Sequence, residues 1–279
     1  MTVAESTSPP PPAPAKQWLS ILFLAGMSCV GAGNVCLLIF LAVGAQRDYE
    51  DDDLLLLRLK MLAMPYVLQC TWRSFFVSDF IFQKTTTNSA LNSVPLARAL
   101  AALGETCFVV EIVAFYSSAA PASVDTTTLL ASSVILLLNG IAQAASTWAF
   151  VTKDMRCFVV EAVCWLCIFV ALAVWNSILC CCSTAGPAAQ VQFFAASTLV
   201  FSGASIYVQM IYLPLTVTDL ALNNKIFLLG NASSSFQKKL RYAMSFSWVT
   251  KDFALWYSDI CWMAPSFTLG PLVAVFLAF

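Results

Sequence analysis

The sequence contains no histidine, and that absence removes more chemistry than any motif adds. Without imidazole there is no bis-histidine haem, no His-ligated zinc or copper centre, and no Ser-His or Cys-His nucleophile. Charge is scarce as well: 14 Lys and Arg stand against 15 Asp and Glu in 279 residues. A balance so near zero, with no basic stripe, excludes nucleic acid as a partner. The 10 glycines form no phosphate-cradling loop. Membrane hydrolases and desaturases need clustered histidines or a nucleophile with its base. The expectation is therefore a non-enzymatic protein with no catalytic residues, no cofactor and no metal.

What the chain has in abundance is apolar surface, 60% of its residues being hydrophobic. A globule of this size has too little interior to bury that much, whereas several apolar runs reach the roughly 20 residues that cross a bilayer. The class implied is all-α, a polytopic membrane helix bundle whose surroundings are membrane lipids. A Ser/Pro-rich tail at 1–17, extended through Pro9 to Pro12, precedes a single bundle at 18–279. The tail lacks the pattern of a secretory signal or an Arg-rich transit peptide. Spans are expected at about 18–43, 95–116, 126–150, 157–179, 191–213 and 253–279. Two further segments, about 54–82 and 235–250, read as interfacial amphipathic helices, the first lying on the bilayer surface or packed on the bundle. The first is interrupted by Arg58, Lys60, Pro65, Arg73 and Asp79, and it repeats Trp72, Phe76 and Phe80 at helical spacing. The second opens on Ser234-Ser235-Phe236-Gln237, a capping-box pattern. It carries Lys238, Lys239 and Arg241, side chains suited to lipid headgroups.

Six spans put nearly all Lys and Arg on one side, which by the positive-inside tendency is cytosol, matrix or stroma. Both termini then face the other side. Counting 54–82 as a seventh span breaks this arrangement. The sequon Asn231-Ala232-Ser233 falls on the basic side, where it stays unglycosylated. The 11 cysteines lie mostly inside apolar runs and read as small hydrophobic side chains rather than metal or disulfide partners. Cys164 and Cys167 lack a partner pair, and the Cys180 to Cys182 triplet stands alone. Cys107 to Glu111 recurs letter for letter as Cys157 to Glu161, a short echo in an apolar-biased chain.

Ionisable residues inside spans are expensive to keep and mark functional candidates. Arg98 lies a turn inside the basic face and Glu105 two turns deeper on nearly the same face. Glu161 and Asp259 enter from the same side. These four define an intramembrane ion network joining three spans, with Trp165 beside Glu161. Glu111 and Asn139 are additional polar positions, Glu111 nearer the opposite surface. Ala25, Cys29 and Gly33 repeat every fourth residue and predict a face against which another helix packs closely. The network has two readings: charges that tie helices together in lipid, or a proton or ion relay centred on Glu105.

The chain resembles a family of uncharacterised multi-pass membrane proteins of plants, protists and bacteria. The resembling pieces are Arg73-Ser74-Phe75-Phe76, Arg98 followed by Glu105-Thr106-Cys107-Phe108, Glu161 four residues before Trp165, and Trp256 to Met263. A Glu at Asp259 and a Pro at Val77 would match that pattern better. The resemblance implies a six-helix-like bundle with a shared Arg/Glu network and no reaction.

Two functions fit these readings. The first is an accessory, structural subunit of a larger membrane assembly, packed against other membrane-protein subunits in an organellar inner membrane. A mitochondrial or plastid energy-transducing complex is the setting in view. Its support is the missing histidine, the short translocated loops and the surface-lying aromatic helix. The alternative is a transporter that handles an ion or solute through the Arg98, Glu105, Glu161 and Asp259 cluster.

Overall fold

A computed structural model describes residues 14–79, 83–119, 125–152, 154–182, 235–245, 248–251 and 253–279, with isolated positions 203, 206, 207 and 210. The expected span at 191–213 lies outside the described residues except for those four positions, as does the sequon at Asn231. The described chain is mostly helical. Its long helices are α1 (Pro14–Glu50), α2 (Leu54–Phe75), α3 (Val94–Ala119), α4 (Asp125–Thr152) and α5 (Met155–Cys182). A short helix, α6 (Phe236–Ser245), precedes the last long one, α7 (Phe253–Leu277). Within α1 to α5 lie five segments long and apolar enough to cross a membrane: Trp18–Glu50, Leu54–Phe75, Val94–Ser118, Thr126–Thr152 and Arg156–Ile178. Met263–Leu277 is a shorter apolar stretch.

Three two-residue strands sit at one end of the bundle. β1 (Ser78–Asp79) pairs antiparallel with β2 (Lys84–Thr85), and β2 pairs parallel with β3 (Trp248–Val249). Gln83, just before β2, adopts φ 52°, a left-handed conformation uncommon for a side chain of this size. The Gln83 amide is held there, donating at 3.0 Å to the Ala243 carbonyl of α6. A 3₁₀ turn at Ala90–Asn92 is capped by the Ser89 hydroxyl, and the Trp72 indole donates to the Leu91 carbonyl. We call this the basic end, because Lys84, Arg156, Lys238, Lys239, Arg241 and Lys251 belong to it. At the opposite, acidic end α1 turns into α2 through Glu50, Asp51, Asp52 and Asp53. The Asp53 side chain caps α2 by accepting from the Leu56 amide at 3.1 Å.

α2 packs on the bundle, one of the two placements expected for this segment. It stops at Phe75, not Phe82, and it runs the length of the bundle antiparallel to α1. Near its start Lys60 pairs with Asp48 at 2.5 Å and lies 4.0 Å over the Phe279 ring; near its end Phe75 reaches Gly31. Of the charges that made this segment look interfacial, Arg58 is exposed but Lys60 and Arg73 are buried, at 2% and 1% exposure. Their partners come from distant elements, which the sequence does not mark. With α2 crossing the bundle, the termini separate. Phe23 of α1 stacks on Trp256 of α7 at the basic end, whereas Phe40 stacks on Phe279 at the acidic end, centroids 4.3 Å apart. The start of α1 and the basic segment therefore share an end, and the C-terminus lies at the other.

Prolines are absorbed by specific contacts. Pro271 has no N–H to bond the carbonyl of Phe267 four residues earlier. The buried Asn34 side chain of α1 donates to that carbonyl instead, at 3.0 Å. Such substitution by a neighbouring helix is how a proline survives in an apolar medium. Two glycines let α2 lie close against α7 and α3. A Cβ on Gly270 would meet the Tyr66 hydroxyl at 2.2 Å, and one on Gly104 would meet the Pro65 carbonyl at 2.9 Å. Tyr66 fills the resulting slot and stacks on Phe108 at 4.3 Å.

Candidate functional site: buried charges between the helices

At the basic end, the β1–β2 pair carries a cation into the bundle. Register places Asp79 opposite Lys84. The Lys84 ammonium sits 3.2 Å from the Asp79 carboxylate and donates at 2.8 Å to the Asp259 carboxylate of α7, with the Trp256 ring 4.8 Å away. Burial pulls the Lys84 pKa down, but the two carboxylates outweigh it and hold the group above the ordinary lysine value. Asp259 was expected beside Arg98, since the two enter from one side to similar depth. Its ion pair is instead with Lys84, because β2 folds a loop lysine back to meet it. Sequence reasoning counted Lys84 only as a loop charge and read Asp79 only as a break in a helix. No local pattern distinguishes them from solvated charges.

Deeper, between α3 and α4, Arg98 and Glu105 meet through an intermediary. The Arg98 guanidinium donates to the Gln143 carbonyl oxygen at 2.5 Å, and the Gln143 amide donates to the Glu105 carboxylate at 2.8 Å. The amide carries the link between cation and anion across two turns of α3. Glu161 of α5 lies within electrostatic reach of Arg98 and Glu105, and Ser146 of α4 approaches its carboxyl without full hydrogen-bond geometry. Arg73 of α2, missed as a network member, lies over the Phe267 ring at 4.9 Å. It interacts electrostatically with Glu105 and Glu161 and also with Asp259. Arg73 thus stands between two groups, Lys84–Asp79–Asp259 at the end and Arg98–Gln143–Glu105 with Glu161 inside.

The remaining predicted positions divide. Glu111 is fully buried, and neither carboxyl oxygen has a hydrogen-bond partner among the described residues. It continues the row Gly104–Phe108–Glu111 that faces α2, away from the Arg98 group. Asn139 is buried on α4 and reaches Thr106 of α3 at 3.5 Å. Ala25, Cys29 and Gly33 form a face left uncovered among the described residues. All three are exposed, and a Cβ at Gly33 would meet nothing within 4 Å. The close contacts of α1 are at Gly31 and Gly44, turned toward Phe75 and Phe279.

α6 begins one residue later than the capping-box reading has it. Ser235 precedes the helix, its carbonyl accepting from the Lys238 and Lys239 amides. Ala243 packs on Val94, Ala97 and Phe150, leaving Lys238 and Arg241 exposed and Lys239 half-buried. Lys239 and Arg156 both act on Asp154 in the α4–α5 turn, where hydrogen bonds from Arg156 hold the carboxyl below its ordinary range.

One further set of polar groups emerges only in the structure. The α4 stripe Thr128, Ser132, Asn139 and Ser146 is buried along the seam with α3 and α5. On α5, Trp175 and Asn176 are buried at the acidic end of that seam. Among the described residues no His, Cys, Asp and Glu side chains converge in a group of three able to hold a metal ion. The site is thus a chain of buried ion pairs and amides at the basic half of a multi-pass helical bundle, continued by neutral polar groups toward the acidic half. Comparison with known protein families, with characterised proteins and with solved structures finds no match for this chain.

Proposed function

We propose that this protein moves protons or small ions across its membrane through the α3–α4–α5 seam, with Glu105 as the group that changes protonation. The observation that carries this reading is the Arg98–Gln143–Glu105 link with Glu161 and Arg73 around it. Four ionisable side chains from α2, α3 and α5 gather there around an amide from α4, in an interior that otherwise favours apolar groups. Holding helices together needs one cation per carboxylate; a shared, amide-bridged group gives a carboxyl alternative partners as its charge changes. The test is purified protein in liposomes with a trapped pH dye and an imposed gradient. Flux should be present in the parent and lost in Glu105→Gln, with folding retained because the amide keeps the shape and can still accept. Equal flux in both proteins, or none in the parent, would sink the reading.

The accompanying topology is seven crossings: α1 to α5, the apolar run at 191–213, and α7. Basic segments and the N-terminus would lie on the cytosol, matrix or stroma side, with the acidic turn and Phe279 opposite. This keeps the positive-inside bias, because the acidic end adds only Arg47, Arg58 and Lys60 among five carboxylates. Terminal tags probed by protease in sealed vesicles should be reached from opposite sides; protection of both tags together would restore six spans.

A second reading, the accessory subunit of an organellar assembly, is favoured by one observation. The small face Ala25, Cys29 and Gly33 is left open on α1. Native electrophoresis of mildly solubilised membranes tests it, since a subunit migrates with its large complex and a self-sufficient transporter does not.

A further inference from the structure

Serine and threonine on the outer surface of these helices satisfy themselves. Ser28, Ser133, Thr152 and Ser177 each donate to the carbonyl four residues back on their own helix, at 2.8 to 2.9 Å. The buried hydroxyls of Thr128 and Ser132 do not, and among the described residues neither they nor the Trp175 indole N–H nor either amide atom of Asn176 has a partner. These groups are almost wholly shielded, at 0–6% exposure. An unpartnered buried amide is costly in an apolar medium, so a set of them marks something polar between them.

Register brings them together. α4 and α5 run antiparallel, with Ala149 against Phe158 and Ser146 beside Glu161. The same register carried along the pair sets Ser132 level with Trp175. The Tyr116 ring of α3 closes the layer, 4.8 Å from Trp175. Asn139 Oδ1, about 10 Å further along α4, is also unpartnered, and beyond it lies Gln143 of the charge centre. Between the two polar zones stand Ile112, Ile135 and Leu172, each at 0–1% exposure. They form an apolar layer contributed by all three helices.

We propose that Thr128, Ser132, Trp175 and Asn176 line a water-filled vestibule at the acidic end of the seam, and that the Ile112, Ile135 and Leu172 layer is a dewetting gate between it and the Glu105 centre. The vestibule rests on the transport reading and names its cargo. Neutral donors and acceptors with no carboxylate among them suit hydrogen-bonded water that relays protons, not a cage for a metal cation. A proton entering from the acidic end passes along these waters, crosses the gate when it wets, and reaches the Glu105 carboxylate along water held beside Asn139, while Gln143 holds that carboxylate in place and carries no proton itself.

Hydroxyl-radical footprinting with mass spectrometry, on the full chain in liposomes, reports the water directly. Trp175 should be oxidised despite its burial, and oxidation should drop on Asn176→Leu. In the same liposomes Ile135→Ser, which wets the gate, should raise proton flux on the order of tenfold. An unlabelled Trp175 overturns the vestibule. So does parental flux in Ile135→Ser while Glu105→Gln still abolishes transport; both results leave the charge centre intact. A labelled Trp175 without any Glu105-dependent flux overturns the proton path and the transport reading beneath it, reducing the vestibule to structural water.

Discussion

In the basic half of the α3–α4–α5 seam, Arg98, Glu105 and Glu161 lie within reach of one another and of Gln143. In the acidic half, Thr128, Ser132, Trp175 and Asn176 are buried, carry no charge and have no hydrogen-bond partner among the described residues. The difference follows from what each kind of group can tolerate. A full charge in an apolar interior without a counterpart is prohibitive, so its partners must be built from protein and fixed. A neutral amide or hydroxyl costs far less and can be satisfied by water, which is exchangeable. The fixed half suits storage of charge; the exchangeable half suits its delivery.

The comparison can be broken hardest from its charged side. Lys84→Met leaves Asp79 and Asp259 facing each other without their cation, and thermal melting in detergent should show a loss of about 3–5 kcal/mol. Asp259→Asn, which keeps Lys84 paired with Asp79, should cost clearly less. Gln143→Leu removes the bridge while keeping the volume; a loss of about 1–3 kcal/mol is expected as Arg98 and Glu105 each lose a buried hydrogen bond. The matching change in the neutral half, Asn176→Leu, removes unsatisfied atoms and should leave the melt unchanged or raise it. A loss there comparable with that of Gln143→Leu would mean that both halves are built from fixed partners.

The smallest effect is in pH. The folded Lys84 pKa is raised above the ordinary value of 10.5, so its contribution is fully present below 10.5 and is lost as pH rises through the folded value. Stability should hold through neutral pH and fall in the alkaline range. That particular fall should be absent from Lys84→Met, as melts across alkaline pH would show.

Much of the helix layout was legible. The apolar runs at 95–116, 126–150 and 157–179 are the cores of α3, α4 and α5, because a run of that length has only one way to satisfy its backbone in lipid. Arg98 and Glu105 were legible as neighbours from their helical spacing. Gln143 was not, since an uncharged amide in a polar-speckled helix gives no signal until its partners are known. The same limit left the placement of α2 open. Its charges implied water only as long as Asp48, Phe279 and Phe267 were unknown as their neighbours, and those contacts join residues far apart in the chain. The stripe Ala25, Cys29 and Gly33 was read for its spacing, but spacing defines a face without saying what the face meets. Gly31 and Gly44 look no different in sequence and are the ones in contact.

The bond from Asn34 to the Phe267 carbonyl also bears on biogenesis. α1 enters the membrane first with a polar amide that has nothing of its own to bond, and the acceptor exposed by Pro271 belongs to the final 25-residue helix. Lys84 waits for Asp259, β2 for β3, and Lys60 for Phe279 in the same way. The early helices are therefore provisional during synthesis. A ribosome stalled before α7 would hold a chain with unmet polar groups in lipid, a state that membrane quality control can recognise.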